Sequence, residues 1–176
     1  MAINSRNKGA KNERNIAKLF EKWTGKKFAK TPASGGLQWQ SANSKGDIVC
    51  TTEGHYFPFC IECKSYNKID FSHLLTPGIQ NIDILDFWRQ AERDALKANK
   101  VPILMMRYNG LPKDFHYLAL PIEFWRLLKL NNTLNLHYFN PLRKIDIVII
   151  RSTDLFKGDY KEIKFLTKKF LKNGSK

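Results

Sequence analysis

One short stretch of the chain carries side chains that could perform metal-assisted chemistry. Residues 45–65 read KGDIVCTTEGHYFPFCIECKS, and two β-rich runs around a Glu-Gly pair predict a hairpin. Side chains alternate faces along a strand, so Glu62 and Lys64 should point the same way. Asp47, at the start of the first strand, should lie within reach of them in the hairpin. Two carboxylates and a lysine at one place can hold a divalent cation and position or activate a water molecule.

The same pattern has a simpler interpretation. Charged residues often alternate with apolar ones on an exposed sheet face, and the pair Glu62–Lys64 would then be a surface ion pair. An acidic residue followed by a Glu-x-Lys triplet also arises by chance, so this short motif needs support from elsewhere in the chain.

Composition indicates the class of partner. The chain has 176 residues, 43% of them hydrophobic, which suits one folded domain with a sizeable core. Its formal charge is +14, with 30 Lys and Arg against 16 Asp and Glu. That excess predicts a polyanion, nucleic acid before an anionic membrane surface. No apolar run approaches the roughly 18 residues of a membrane span, so we expect a soluble cytoplasmic protein with no membrane partner.

The cysteines do not predict a zinc or disulfide site. Three cysteines fit a reducing compartment. Cys60 and Cys63 form a C-x-x-C pair, but residues three apart on a strand face opposite sides of the sheet. No second cysteine pair or spaced histidine pair completes a zinc site, and the four histidines are scattered.

The first helix places a carboxylate among apolar residues. Residues 1–8 are polar and basic and suggest a mobile basic arm, and from Ala10 the apolar positions through Ile16 and Phe20 recur at helical spacing. Glu13 falls on that apolar stripe, where it would need a cation, a hydrogen-bond partner or a metal. Alternatively, Glu13 stabilises the helix N-terminus, as acidic residues in first turns do.

The remaining patterns predict an α/β chain in the order α-β-β-β-α-β-β, followed by a C-terminal α/β extension. We expect a core over residues 1–120 and the extension over residues 121–176. The predicted elements after the first helix are a strand at 26–30, the hairpin, a helix at 82–99, strands at 101–108 and 115–120, a short helix starting with Pro121 in its first turn, strands at 134–139 and 145–150, and a helix at 159–171.

Two segments could contact phosphates. The last predicted helix has an outward set of lysines that reads as either a nucleic-acid face or a solvated face, namely Lys161, Lys164, Lys168, Lys169 and Lys172. The loop 31–36 contains Ser34 and two glycines beside Lys30, so it could meet a phosphate through backbone N–H groups, or it could be a simple connection.

This order of elements, with Glu13, Asp47 and the Glu62-Cys63-Lys64 triplet, resembles the restriction-endonuclease-like core of the PD-(D/E)XK nucleases. The run 6–20, the loop with Ser34 and the Asp-Ile-Val and Ile-Glu-Cys-Lys strands more specifically resemble the archaeal-type Holliday-junction resolvases and their phage relatives. The likeness covers about residues 6–120. Lys30 stands where those proteins usually carry an arginine, and residues 69–85 form a longer segment. Residues 121–176 have no counterpart. These differences bear on the identity of the DNA substrate more than on the cleavage chemistry.

The resemblance implies a mixed central sheet flanked by helices and a Mg²⁺-dependent endodeoxyribonuclease, with Mn²⁺ as a substitute metal. It makes Asp47, Glu62, the Cys63 backbone carbonyl and Glu13 metal ligands. Lys64 would orient or deprotonate the attacking water, or offset charge on the phosphate. The DNA contacts implied are Lys8, Arg14, Lys30, Ser34 and Gln90, with Ser34 close to the scissile phosphate.

Three functions stay open from the sequence. The first is a homodimeric resolvase that cuts four-way DNA junctions in recombination and repair. The second is another restriction-like or repair endonuclease whose residues 121–176 select the substrate. The third is a non-catalytic DNA-binding module on the same fold. A small basic resolvase with a divergent tail would suit a bacteriophage or a mobile element, and for a phage protein the compartment is the host cytoplasm.

Overall fold

The computed structural model describes residues 5–31, 46–66, 71–74, 84–130 and 133–173. Helices and strands are interspersed along these residues. They are α1 (Ser5–Thr24), β1 (Phe28–Lys30), β2 (Ile48–Cys50), β3 (Phe59–Tyr66), a 3-10 turn (Phe71–Leu74), α2 (Ile84–Ala98), β4 (Val101–Tyr108), β5 (Tyr117–Pro121), α3 (Ile122–Leu128), β6 (Asn135–Asn140), β7 (Ile145–Arg151), α4 (Ser152–Phe156) and α5 (Tyr160–Asn173).

The strands of the described residues form one seven-stranded mixed sheet in the order β1-β2-β3-β4-β5-β7-β6. Only β3 and β4 pair in parallel, and the crossover that parallel pairing requires contains α2. The other neighbours are antiparallel. The predicted α/β class, the mixed sheet and the order α-β-β-β-α-β-β are confirmed.

Alternation along the central strands divides the core into two layers. Ile61, Ile103 and Met105 pack with Ile16 and Phe20 of α1 in what we call the α1-side core. Leu104 and Met106 pack with α2 in the α2-side core. Glu62 and Lys64 lie opposite Leu104 and Met106 in the β3–β4 register, so they occupy the α2 face of the sheet.

Both long helices follow the predicted stripes. On α2, the stripe Ile84, Trp88, Ala91 and Ala95 is buried as predicted. Helix α1 begins at Ser5, so the prediction of a mobile arm over residues 1–8 is wrong for residues 5–8, which are helical; residues 1–4 lie outside the described part.

The chain after Pro121 continues the same sheet. The predicted strands at 134–139 and 145–150 correspond to β6 and β7, and β7 pairs with β5 while β6 forms the outer edge. Pro121 ends β5 with extended backbone and precedes α3, so its predicted place inside the first helical turn is wrong by one residue. Helix α4 was not predicted. The division of the chain at residue 120 stays a prediction.

Within the described ranges, no helix combines the length and the apolar character needed to cross a membrane.

Candidate active site

A glycine positions Asp47 immediately before β2. Gly46 has a φ of +92°, and a Cβ built on it would lie 2.7 Å from the Ile61 carbonyl oxygen, so the backbone can approach β3 only without a side chain. The Asp47 N–H donates to the Ile61 carbonyl at 2.7 Å, and the Thr31 N–H donates to the Asp47 carbonyl at 2.8 Å. The Thr31 hydroxyl donates to the Gly46 carbonyl at 2.6 Å, which fixes this turn from its other side.

The Asp47 carboxylate accepts a hydrogen bond from the backbone of β3. Its Oδ2 accepts the Cys63 backbone N–H at 2.7 Å, two residues along β3 from the Ile48–Ile61 pair that joins β2 to β3. Burial raises the pKa of Asp47 and the nearby Glu13 carboxylate raises it further, despite the opposing effects of the Cys63 N–H, Lys64 and Lys30. Asp47 is thus a desolvated carboxylate beside another carboxylate.

Glu62 and Lys64 form the second half of the site. The Lys64 Nζ lies 2.7 Å from Glu62 Oε1, and the two side chains are 20% and 5% exposed. Burial raises the pKa of Glu62, and Asp47 adds to this rise. Burial alone would lower the pKa of Lys64, but its hydrogen bond and charge pairing with Glu62 outweigh this, and the pKa is raised. Lys64 is therefore an ammonium at neutral pH.

Helix α2 supports the ammonium from the same face of the sheet. Lys64 Nζ donates to Gln90 Oε1 at 3.2 Å and lies 4.8 Å from the centre of the Phe87 ring. Tyr66 stacks on Phe87 with ring centres 5.3 Å apart. Phe87 and Tyr66 were not predicted as site residues, although Phe87 lies three residues before Gln90 and so shares its helix face.

Glu13 approaches the site from the α1 side. Its Oε2 lies 3.1 Å from Lys30 Nζ, and the side chain is 21% exposed. The prediction that a carboxylate on the apolar stripe needs a partner is confirmed, and the partner is the Lys30 ammonium. Glu13 raises the pKa of Asp47, so the two carboxylates are close enough to repel each other.

The donor set fits a hard divalent cation. The described residues contain no group of three His, Cys, Asp or Glu side chains arranged as a ready metal site. Asp47 and Glu62 nevertheless supply crowded oxygen ligands whose mutual repulsion a cation would relieve. The Cys63 N–H points at Asp47, and the N–H and C=O of one extended residue point to the same side of a strand, so the Cys63 carbonyl lies on the side of β3 that faces β2.

The other predicted site residues are on α1, on α2 or outside the described residues. Lys8 and Arg14 are exposed on α1, on the helix that carries Glu13. Gln90 contacts Lys64 directly. Ser34, predicted for the phosphate, lies outside the described residues. Cys60 and Cys63 occupy alternate faces of β3 as expected, and burial raises the pKa of the Cys60 thiol to about 12.

The arrangement matches a known family. A family model described as "Phage putative PDDEXK endonuclease" matches residues 4–171. The chain belongs to this family. The family match extends through β6, β7 and nearly all of α5.

One relative extends the comparison. Protein D14 of Escherichia phage T5 is 30% identical to this endonuclease-family chain over 109 residues. The match covers 61% of the chain and 66% of Protein D14, slightly less than two thirds of that protein's own length.

Proposed function

We propose that the protein is a metal-dependent endonuclease that hydrolyses phosphodiester bonds in DNA. The observation that carries this proposal is the convergence of Asp47, just before β2, with Glu62 and the Lys64 ammonium of β3. Their oxygens and charge suit a Mg²⁺ or Mn²⁺ ion, with the Cys63 carbonyl and Glu13 as further ligands, Glu13 directly or through water.

The bound cation would act as a Lewis acid toward the phosphate and lower the pKa of a bound water. The reaction adds a water oxygen to phosphorus and breaks one P–O ester bond, and the negative charge that develops needs a fixed positive partner. Lys64 supplies that partner, because it is protonated and held by Glu62 and Gln90. Since its pKa is raised, Lys64 is better suited to orient the water and stabilise charge than to accept the water's proton.

Basic residues around α1 would hold the DNA backbone. Lys8 and Arg14 are exposed and lie on either side of Glu13 in the helix sequence. Lys30 can contact a phosphate while it neutralises Glu13, since an ammonium has three donors. Ser34 would complete this contact. Such contacts give affinity without sequence specificity, and they weaken as salt concentration rises.

For the substrate, we propose branched DNA, with a four-way junction as the first candidate. The support is the order and spacing of the Lys8-Gly9, Glu13-Arg14, Asp47-Ile48-Val49 and Ile61 to Lys64 motifs, which resemble the junction resolvases. Resolution requires two symmetric cuts, so this substrate goes with a two-fold homodimer that presents two sites.

The test is cleavage of three labelled DNA substrates: a four-way junction, a linear duplex of matched sequence and a single strand. Each is incubated with Mg²⁺, Mn²⁺ or EDTA and the wild-type protein or Glu62→Gln. Glu123→Gln is the matched control, because Glu123 is 68% exposed and pairs with Arg126 on α3. We expect Mg²⁺-dependent cutting by wild type and Glu123→Gln, and a loss of at least roughly 100-fold in Glu62→Gln.

The outcomes separate the three hypotheses. Paired symmetric nicks on the junction alone support the resolvase proposal. Equal cutting of all three substrates keeps the endonuclease and removes junction selectivity. Tight binding with no cutting in Mg²⁺ or Mn²⁺ leaves a DNA-binding module, and the assigned roles of Asp47, Glu62 and Lys64 are then wrong.

A further inference from the structure

Helix α5 has an outward face that the proposed active site does not use. Its buried side contains Tyr160, Ile163 and Thr167. Its exposed side carries a phenylalanine among lysines: Phe165 is 69% exposed, and Lys161, Lys168, Lys169 and Lys172 are exposed around it. We call these five residues the α5 lysine face.

The spacing puts the aromatic ring at the centre of the charges. Lys161, Lys168 and Lys169 lie at i−4, i+3 and i+4 from Phe165, which are the neighbouring positions on a helix surface. The described residues give none of these lysines an ion-pair partner, and Glu162, in the first turn, is the one acidic residue of α5.

A solvated helix face does not account for this arrangement. Lysines four apart repel one another and destabilise a helix by a few tenths of a kcal/mol per pair, so a face built only for solubility would mix both signs. Burial lowers the pKa of Lys164, and the charges of Lys168 and Lys26 lower it further, which reflects the positive potential beside this face. An exposed phenylalanine adds nothing to solubility.

We propose that the α5 lysine face binds single-stranded DNA, with the lysines on successive phosphates and the Phe165 ring stacked on an unpaired base. A phenyl ring can stack on any base whose π-face is free, whereas the bases of a duplex are already stacked. Charge complementarity with a polyanion selects the partner. This proposal rests on the proposed function for its choice of nucleic acid, but not on cleavage.

The position of α5 also favours a flexible strand. Ile163 and Tyr160 pack into the α1-side core, whereas Glu62 and Lys64 lie on the α2 face of the sheet. A duplex has a persistence length of about 150 base pairs, whereas a single strand is flexible enough to follow the protein surface from one face of the sheet to the other. A single strand that leaves a branch or a nick can turn that far.

The experiment measures binding in EDTA in the Glu62→Gln background, so that no cutting occurs. Fluorescence anisotropy compares a labelled 20-nucleotide single strand with a duplex of the same sequence. We expect Phe165→Ala to weaken single-strand binding by roughly 5- to 150-fold and to leave duplex binding within about twofold. Phe165→Trp should retain the wild-type affinity.

The control for the aromatic change is Phe139→Ala, because Phe139 is 61% exposed on β6, a strand without lysine. Lys168→Gln with Lys169→Gln should reduce the slope of log affinity against log salt for the single strand by about 1.4, at roughly 0.7 per phosphate. Lys97→Gln at the exposed end of α2 is the control for the loss of a positive charge. It should change the slope of log affinity against log salt by half of that amount or less.

Three results would overturn the proposal. One is an equal effect of Phe165→Ala and Phe139→Ala on the single strand. Another is an equal loss of duplex binding in Phe165→Ala. The third is Phe165-dependent binding to vesicles of phosphatidylcholine and phosphatidylserine without Phe165-dependent binding to the single strand, which would make the face a membrane contact. Loss of cleavage in the earlier test would leave this binding result unaffected.

Discussion

Gly46 and Gly54 both adopt left-handed backbone, but only one of them approaches another strand. A Cβ on Gly46 would meet the Ile61 carbonyl oxygen at 2.7 Å and the Ile61 nitrogen at 2.9 Å, whereas a Cβ on Gly54 would meet nothing within 4 Å. Both glycines would carry the conformational strain of a side chain at positive φ. Gly46 alone would also push the Asp47 turn away from β3.

This difference predicts unequal effects of alanine. Gly54→Ala should lower the free energy of unfolding by about 1 kcal/mol through backbone strain. Gly46→Ala should lower it by roughly 2–4 kcal/mol, because overpacking against β3 adds to the strain. Urea unfolding measures both changes. The cleavage rate should fall in Gly46→Ala and be unchanged in Gly54→Ala, since only the former displaces Asp47. Equal destabilisation in the two variants would contradict the role of close packing at Gly46.

At the scale of elements, two consecutive polar residues of α1 bind it to neighbouring segments of the sheet. Asn12 Oδ1 lies 3.0 Å from His116 Nε2 just before β5, and both residues are buried. The next residue, Glu13, pairs with Lys30 of β1. These two contacts set the rotation of α1 and therefore the direction in which Glu13 reaches the site.

The buried histidine predicts how stability depends on pH. The pKa of His116 is lowered from 6.5 to about 4, chiefly by burial and also by the charge of Arg107. As the pH falls below 6.5, His116 becomes protonated in the unfolded chain but stays neutral in the folded chain. The free energy of unfolding is therefore highest above pH 6.5 and decreases as the pH falls toward 4. At 1.36 kcal/mol per unit, His116 should contribute a loss of roughly 3 kcal/mol over that range.

Urea unfolding at pH 7.5, 6, 5 and 4.5 tests this dependence. His116→Gln retains an amide donor for Asn12 without titrating, so its stability should fall less over the same range. His137→Gln is the control, because His137 is exposed and pairs with Asp146 on the outer strands. If His116→Gln and wild type lose equal stability between pH 7.5 and 4.5, His116 is not the group responsible.

Local patterns predicted the elements, and tertiary contacts decided what the sequence could not show. Alternation placed Glu62 and Lys64 on one face of β3, and helical spacing identified the α2 stripe from Ile84 to Ala95. Neither pattern identifies Lys30 as the partner of Glu13 or Phe87 as the ring beneath Lys64, because each pair joins elements whose packing depends on the strand order. Helix α4 has five residues, too few to show a period.

At the scale of the whole molecule, the candidate site is a source of instability when it holds no cation. Glu62 is buried and Asp47 is half-buried, each near another carboxylate, and the pKa of each is raised above its ordinary value. A raised carboxylate pKa favours folding at low pH, and that contribution is lost as the pH rises through the folded pKa. At neutral pH, both ionised groups therefore lower the stability of the entire fold, and a bound divalent cation should restore it.

Thermal unfolding with Mg²⁺ or EDTA tests this coupling between the site and the fold. At a Mg²⁺ concentration 100 times the Kd, binding adds about 2.7 kcal/mol, which corresponds to a Tm increase of roughly 5–11 °C for a chain of this size. Asp47→Asn keeps an oxygen acceptor for the Cys63 N–H and removes the half-buried charge. Its Tm in EDTA should equal or exceed that of wild type, and Mg²⁺ should not raise it. Equal Mg²⁺ shifts in both proteins would mean that the cation binds elsewhere, and Asp47 would then not be a ligand.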